Sequence, residues 1–245
     1  MNINSILAII SEWLGVIAVT LILGLNPVFR TPQVGFRYPR REGLVSFFLY
    51  ILILILAYIF YSGTVNPALI RSNTPLDVLY QRLFLAGLSL IPFLLALAVR
   101  KQPLRSTGWS RQIIRPGFEL GLALAFLTIF LRGKIYSLMA GVSPAEGYAL
   151  LASAGMCLAE ESIFRGYIQL RLCSWMGKRV GWLVTALLFT VWQLPRLMLN
   201  PVNLPINLAL SLGQALLLGW ISQRSGNILV PVLYRTVSEW ISFIP

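Results

Sequence analysis

Residues 43–61 read GLVSFFLYILILILAYIFY, an apolar run without a single charged side chain. A helix needs about 20 mainly apolar residues to cross the hydrocarbon core of a bilayer, so this run predicts a membrane-spanning helix. The rest of the chain contains similar runs separated by short segments rich in proline and glycine. The eight predicted spans are 5–28, 43–61, 76–99, 117–131, 147–172, 181–199, 204–223 and 227–243.

The overall composition supports lipid as the solvent for most of the surface. Of the 245 residues, 57% are hydrophobic and 11% are charged, whereas soluble domains carry about 25% charged residues. The apolar runs are continuous and lack the period-two alternation of a membrane barrel. We therefore predict an all-α, polytopic membrane bundle of about eight helices. It forms one membrane domain, 1–245, with four N-terminal spans in 1–146 and a motif-bearing region in 147–245.

The net charge of +12 reflects topology rather than nucleic-acid binding. Thirteen basic residues fall in the odd-numbered predicted loops and four in the even-numbered ones. The thirteen are Arg30, Arg37, Arg40, Arg41, Arg100, Lys101, Arg105, Arg111, Arg115, Arg171, Lys178, Arg179 and Arg224; the four are Arg71, Arg132, Lys134 and Arg196. This bias predicts that the odd loops are cytoplasmic, that both termini lie outside, and that membrane lipid is a partner. A bacterial or organellar inner membrane is the expected location.

Charged residues inside predicted spans are costly and mark candidate sites. Glu160, Glu161 and Arg165 lie in one span, and Arg235 and Glu239 lie in the last. Glu161 and Arg165 are four residues apart and share a helix face, whereas Glu160 lies about 100° away and is expected to point elsewhere in the bundle. The five charges could simply form intrahelical pairs that fix helix packing, but that interpretation leaves Glu160 without a partner.

Counting along the helices places polar groups from three spans at one depth. Glu160, Gln193 and Glu239 are each twelve residues from the predicted cytoplasmic end of their span, roughly 18 Å of helix rise. Arg235 lies one turn closer to that end. The spacing therefore predicts that three helices contribute to one polar site within the membrane.

Three segments carry a family resemblance. EESIFRGYIQ at 160–169 resembles the first motif of the CPBP intramembrane proteases, which include the type II CAAX prenyl endopeptidases and the Abi proteins. LLFTVWQL at 187–194 lies where that family has Phe-x-x-x-His. GNILVPVLYRTVSEW at 226–240 lies where it has a Gly-(Ser/Asn)-(Ile/Leu)-x-x-Pro segment followed by His-x-x-x-Asn/Asp. The resemblance covers about 147–243 in order and spacing, and implies a helical bundle around an intramembrane cavity.

The resemblance implies endoproteolysis near the end of a lipidated or membrane-delivered peptide. It assigns the water-activating glutamate to Glu160 or Glu161 and the orienting arginine to Arg165, and it makes Phe189 the first residue of the second motif. The chain has no histidine. A second set of residues occupies the family's remaining site positions: Gln193 and Arg235 replace the two histidines, and Glu239 replaces the Asn or Asp.

These replacements restrict the possible chemistry. Zinc sites use imidazole, thiolate and carboxylate ligands, so without histidine and with Arg235 in the site we predict no metal and no other cofactor. Ser–His and Cys–His catalysis lack their base. A carboxylate acting as general base remains possible, with Gln193 and Arg235 as donors to an oxyanion.

We therefore carry three hypotheses for function. The first is a catalytically degenerate protease homologue whose cavity binds a membrane peptide or protein partner, since an arginine suits a carboxylate chain end. The second is an active, metal-free glutamate endopeptidase. The third is a small transporter or channel that uses the intramembrane carboxylates, which proton-coupled flux lost in Glu161→Gln would support.

Overall fold

The protein is a helical bundle, described by a computed structural model for residues 3–23, 35–63, 74–109, 114–199 and 201–244. Within these ranges no strand occurs, which confirms the all-α prediction. The α-helices are α1 (Ile3–Leu23), α2 (Pro39–Tyr61), α3 (Pro75–Val99), α4 (Ile114–Leu131), α5 (Ile135–Met139), α6 (Pro144–Glu161), α7 (Leu170–Met176), α8 (Lys178–Met198), α9 (Leu204–Ser225) and α10 (Leu229–Trp240).

Shorter helical segments complete the bundle. Two 3-10 turns cover Leu104–Thr107 and Ile241–Phe243, and a π-helical segment, Ser162–Gln169, joins α6 directly to α7. We call the continuous helix Pro144–Met176 the motif helix. The end of the first predicted span, 24–28, and the loop arginines Arg30, Arg71 and Arg111 lie outside the described residues.

Among the described residues, five helices are long and apolar enough to cross a membrane: α2, α3, α4, α8 and α9. They coincide with five of the eight predicted spans. The other three predicted spans are helical where they are described but do not meet the same measure. The first lies partly outside the described residues, which leaves Leu7–Ile22 as its apolar helical stretch, and the motif helix and α10 carry the charged motif residues. The chain is an integral membrane protein that crosses the bilayer several times.

Local sequence signals place the helix ends. The hydroxyl of Thr74 accepts a hydrogen bond from the Asp77 backbone N–H, and Pro75 occupies the first turn of α3, where its missing N–H costs nothing. The motif helix starts with a reciprocal capping box between Ser143 and Glu146. It ends at Gly177, whose φ of +87° suits glycine and allows the chain to turn directly into α8.

The motif helix lies in the centre of the bundle. Its α6 part packs on α3 and α10, and its α7 part packs on α2 and α8. All eight residues of the π-helical segment are buried, and the largest apolar cluster forms around Tyr50, Phe164 and Trp192. Large side chains such as those of Phe48 and Phe126 point outward, each 68% exposed. The surface is apolar where lipid would contact it, as the composition predicts.

Candidate functional site

The centre of the candidate site is the guanidinium of Arg235, which is only 2% exposed. Its Nη1 lies 2.9 Å from Oε1 of Glu161, and its Nε lies 2.8 Å from Oε1 of Glu239. Its Nη2 pairs with Oε2 of Glu160. One cation from α10 therefore binds three carboxylates, two of them from the motif helix. The guanidinium offers five N–H donors in a planar fork, so it can serve several acceptors at once.

The direction of Glu160 differs from the prediction. Glu160 was expected to point elsewhere in the bundle, but it meets the same guanidinium as Glu161. The correction has a simple geometric reason: the planar donor fork of Arg235 extends across the angle of about 100° between successive helical side chains. Both intrahelical pairs form, Glu161 with Arg165 and Arg235 with Glu239, and only the expectation that Glu160 lacks a partner is wrong.

Two donors on α8 complete the surroundings of Glu160. The indole Nε1 of Trp192 donates to Oε1 of Glu160 at 2.9 Å, and the amide of Gln193 donates to the same oxygen at 3.3 Å. Gln193 is thus placed where the depth count put it. Trp192 was missed, although a buried indole N–H needs an acceptor and this residue adjoins the motif position.

Arg165 and Phe189 form the second layer of the site. Arg165 Nη1 lies 3.2 Å from Oε1 of Glu161, as the four-residue spacing predicts. The ring of Phe189 lies close to two cations, with its centroid 4.2 Å from the guanidinium carbon of Arg165 and 4.9 Å from that of Arg235. Such contacts are favourable because the ring face carries negative charge. Phe189 thus packs beneath the paired charges rather than lining an open space.

Arg82 on α3 also belongs to the site, although the sequence analysis does not include it among the candidate residues. Its Nη1 lies 3.5 Å from Oε2 of Glu239 and 3.2 Å from the hydroxyl of Ser153. When Arg82 is included, the site contains three guanidinium groups and three carboxylates. We call this set the charge cluster: Arg82, Glu160, Glu161, Arg165, Arg235 and Glu239. Its formal charges balance, which lowers the cost of burying them in the membrane.

A cavity of about 370 Å³ opens beside the charge cluster. It lies between the end of α8, the first half of α9, the end of α10 and the first half of α1. Four arginines line it against a single carboxylate: Arg82, Arg132, Arg196 and Arg235, with Glu239. Amide and hydroxyl groups line it as well: Gln193, Asn207, Ser211 and Gln214. We call it the arginine cavity. Of the cluster, Arg82, Arg235 and Glu239 reach it.

The donor set does not fit a metal ion. Within the described ranges, no group of three His, Cys, Asp or Glu side chains is arranged to hold one. The carboxylates that come together do so around the Arg235 guanidinium, which occupies the place a cation would take. A metal there would be repelled by that fixed positive charge. We derive no metal-dependent step for this chain.

Two further buried carboxylates, Glu12 and Glu42, are not themselves part of the three motif segments. Glu12 on α1 accepts from Arg132, Tyr234 and Ser238, with a distance of 2.9 Å to the Tyr234 hydroxyl. The sequence carried a signal for this network, because Glu12 interrupts an apolar run. The other network centres on Glu42, described below. Glu12 joins α1 to α10 and so helps to fix the wall of the arginine cavity.

Glu42, at the start of α2, contacts two arginines. Arg100 Nη1 lies 2.9 Å from Oε2 of Glu42, and Nε of Arg171 lies 3.2 Å from the same oxygen. Gln102 donates to Glu42 at 3.1 Å. Arg171 was predicted as a loop residue, but it is fully buried near the end of the motif helix and its guanidinium carbon lies 3.4 Å from the centroid of the Tyr167 ring.

Comparison with known proteins agrees with the site's motifs. Residues 144–241 match the family model described as type II CAAX prenyl endopeptidase Rce1-like. No curated protein matches the chain significantly, and no solved structure does. The matched range contains all three motif segments and every member of the charge cluster except Arg82. Through these residues, the region 144–241 is similar to the type II CAAX prenyl endopeptidases of the CPBP intramembrane protease family.

Proposed function

We propose that this protein is a non-proteolytic CPBP family member whose arginine cavity binds a peptide or protein segment embedded in the membrane. One observation carries the proposal: Arg235, at the position of a motif histidine, is bound to all three carboxylates of the site. An arginine at this position neutralises the groups that a hydrolase of this family would need to activate water.

The hydrogen bonding of the two motif glutamates supports the loss of catalysis. A general base must reach a water molecule or substrate proton at about 2.6–3.2 Å. Oε1 of Glu160 accepts from Trp192 and Gln193, and its Oε2 pairs with Arg235. Glu161 shares Oε1 between two guanidinium groups. Glu161 is completely buried and Glu160 is 2% exposed, so neither faces the cavity as an open base.

The lining of the cavity supports a peptide ligand. Within a bilayer, backbone N–H and C=O groups must find partners, and an extended or broken segment is stable only where protein supplies them. Gln193 on α8 and three residues of α9, Asn207, Ser211 and Gln214, offer both donors and acceptors to the cavity. The Ser211 hydroxyl has no hydrogen-bond partner within the described part of the chain. A partner's backbone would pair with these neutral groups without disturbing the balanced charge cluster.

A cleavage assay tests the catalytic half of the proposal. The purified protein is incubated with prenylated and unprenylated peptides, and products are compared between wild type and Glu160→Ala. We expect no product that depends on Glu160. Cleavage that is present in wild type and lost in Glu160→Ala would overturn the proposal.

Photocrosslinking tests the binding half. A photoreactive residue placed at Gln214, inside the cavity, is compared in native membranes with one at Leu187, which is 54% exposed on the outer face of α8. We expect a discrete protein adduct from position 214 that is absent from position 187. Identical adducts from both positions would show that the cavity holds no specific partner.

One observation favours a second candidate, a metal-free glutamate endopeptidase. Oε2 of Glu161 is buried and has no hydrogen-bond partner among the described residues, so one carboxylate oxygen is not committed to a donor. Peptide cleavage that survives metal chelation and is lost in Glu161→Gln would establish this activity in place of the first.

A further inference from the structure

The positive charge of the arginine cavity is not fully balanced where Arg82 and Arg196 line it. We call this part of the cavity its mouth. Arg196 is exposed there and makes no ion pair with any carboxylate of the described ranges. Arg82 lines the same cavity. Arg82 in turn shares Glu239, at 3.5 Å, with Arg235, which is closer at 2.8 Å. Two neighbouring guanidinium groups thus have less than one carboxylate between them, an arrangement that favours an anion.

An apolar groove adjoins this mouth. It encloses about 340 Å³ between α1, α8 and α9, and six large side chains form its walls: Trp13, Ile17, Trp182, Leu216, Leu217 and Trp220. Trp13 lines both the groove and the arginine cavity. We call it the tryptophan groove. The indole ring of Trp13 packs directly on Gly213, where an added methyl group would come within 2.6 Å of the ring.

The groove offers hydrocarbon contact and almost no hydrogen bonding. Its lining side chains are apolar, and the Trp182 indole N–H already donates to the Leu216 carbonyl at 3.0 Å. A peptide backbone laid there would leave its N–H and C=O groups without partners, which is costly in a membrane. A hydrocarbon chain needs no such partners, so the groove favours a lipid tail over a polypeptide.

The dimensions suit a lipid that occupies both spaces. Asn207 lines the cavity and Trp220 lines the far part of the groove, thirteen residues further along α9. This separation corresponds to about 20 Å of helix rise, enough for a headgroup and a chain crossing one leaflet of about 15 Å. The cavity lies at the end of the bundle that loop charge predicts to be outside, so the lipid would belong to the outer leaflet.

We propose that the cavity mouth and the tryptophan groove together bind one anionic phospholipid, with its phosphate at Arg82 and Arg196 and one acyl chain beside Trp13 and Trp220. The site shares Arg82 with the charge cluster but includes neither motif glutamate, and it does not depend on the loss of proteolysis. A segment that entered the cavity would meet this lipid at the mouth. A negative result in the lipid assay would therefore leave the proposed loss of proteolysis intact, and detected cleavage would leave the lipid proposal intact.

Lipid retention by the full-length protein in detergent tests the proposal. Native mass spectrometry counts phosphatidylglycerol and phosphatidylcholine, matched in acyl chains, that remain bound across a titration. We expect phosphatidylglycerol to bind at least about tenfold more tightly, since basic side chains attract anionic lipid headgroups. Brominated acyl chains on phosphatidylglycerol should also quench tryptophan fluorescence, and Trp220→Leu should reduce that quenching.

Matched variants connect the binding to the mouth arginines. Arg196→Gln removes an exposed side chain without an ion pair, so it leaves the fold intact and should weaken phosphatidylglycerol binding several-fold. The combination with Arg82→Gln should abolish the preference over phosphatidylcholine. The control, Arg105→Gln with Arg115→Gln, makes the same change in net charge at exposed positions away from the cavity and should retain the lipid.

Three outcomes would overturn the proposal. The first is equal retention of the two phospholipids, or retention unchanged by Arg196→Gln. The second is inorganic phosphate binding as tightly as phosphatidylglycerol, which would make the mouth a site for a free anion. The third is displacement of phosphatidylglycerol by an apolar peptide with a free carboxylate end but not by its amidated form, which would assign the mouth to a chain end.

Discussion

Two networks of carboxylates and arginines hold the motif helix, and they differ in their surroundings. Around Glu42, the guanidinium of Arg171 is fully buried and packs against the aromatic rings of Tyr167 and Phe36, and none of the cavities described above includes its members. Around Arg235, the charge cluster borders a cavity of about 370 Å³. Charge within a helical membrane protein therefore does not define a site by itself. The access of a ligand to that charge does.

The largest expected effect comes from removing the cation of the charge cluster. Arg235→Leu leaves Glu160, Glu161 and Glu239 close together without their shared partner. Breaking a buried ion pair costs about 3–5 kcal/mol, and we expect a loss of about 5 kcal/mol in the free energy of unfolding. Unfolding by a denaturing detergent, followed by circular dichroism, measures it. Arg235→Lys, which keeps the charge, is the control and should lose less. Equal stability of wild type and Arg235→Leu would contradict the network.

The second prediction compares the network around Glu42 with the charge cluster, which lies beside the arginine cavity. Glu42→Gln keeps the shape of the side chain but leaves Arg171 buried without a carboxylate, at an expected cost of about 3 kcal/mol. Partner crosslinking at position 214 should not change, because the Glu42 network lies away from the arginine cavity. Glu119→Gln is the matched control, since its pair with Arg115 is exposed and should contribute nothing measurable. Loss of crosslinking in Glu42→Gln would remove the distinction between the two networks.

A smaller expected loss of stability comes from removing a tryptophan hydrogen bond, and its size should depend on whether the acceptor is charged or neutral. Trp192→Phe removes the donor to the buried Glu160 carboxylate and should cost about 2 kcal/mol, as expected for a bond to a charged group. Trp182→Phe removes a bond of similar length to the Leu216 carbonyl and should cost about 1 kcal/mol. The same unfolding measurement compares them. If Trp182→Phe proved the more costly, the hydrogen bond to Glu160 would have little weight in the cluster.

The smallest expected loss of stability comes from the N-terminal cap of the motif helix. Ser143→Ala removes the N-terminal cap, whose hydroxyl accepts from the Glu146 backbone N–H at 3.3 Å. An N-cap serine contributes about 1 kcal/mol, and the position is exposed and distant from both networks. Ser143→Thr should retain most of the stability. A loss above that of Glu42→Gln would show that helix initiation, rather than buried charge, dominates the stability of the motif helix.

Most of the fold was predictable because its signals are local. The spans follow from apolar runs, and prolines and capping residues place their ends, as at Pro75 and at Ser143. The convergence of Glu160, Gln193 and Glu239 also followed from counting residues along helices, since 1.5 Å per residue converts sequence position into depth. The roles of these residues in binding or catalysis stay predictions.

The remaining parts of the site depend on contacts distant in sequence. Arg82 meets Glu239 across 157 positions, and nothing in the residues near Arg82 indicates that partner. The direction of Glu160 depends on where α10 lies beside the motif helix, which helical periodicity cannot specify. The count of long apolar helices also omits the motif helix and α10, which carry five of the six charges of the cluster. The partner of Arg82 and the direction of Glu160 are thus the parts of the site that local rules describe least well.

The network around Glu12 has a consequence for how the protein is made. Arg132 follows Glu12 by 120 positions, and Tyr234 and Ser238 follow it by 222 and 226. While the ribosome is still translating the middle of the chain, the first helix holds a glutamate with none of these partners available. Release of α1 into lipid is therefore unfavourable until α4 and then α10 emerge. Truncation before α10 would leave an incompletely paired acid in the bilayer and a nascent chain marked for quality control.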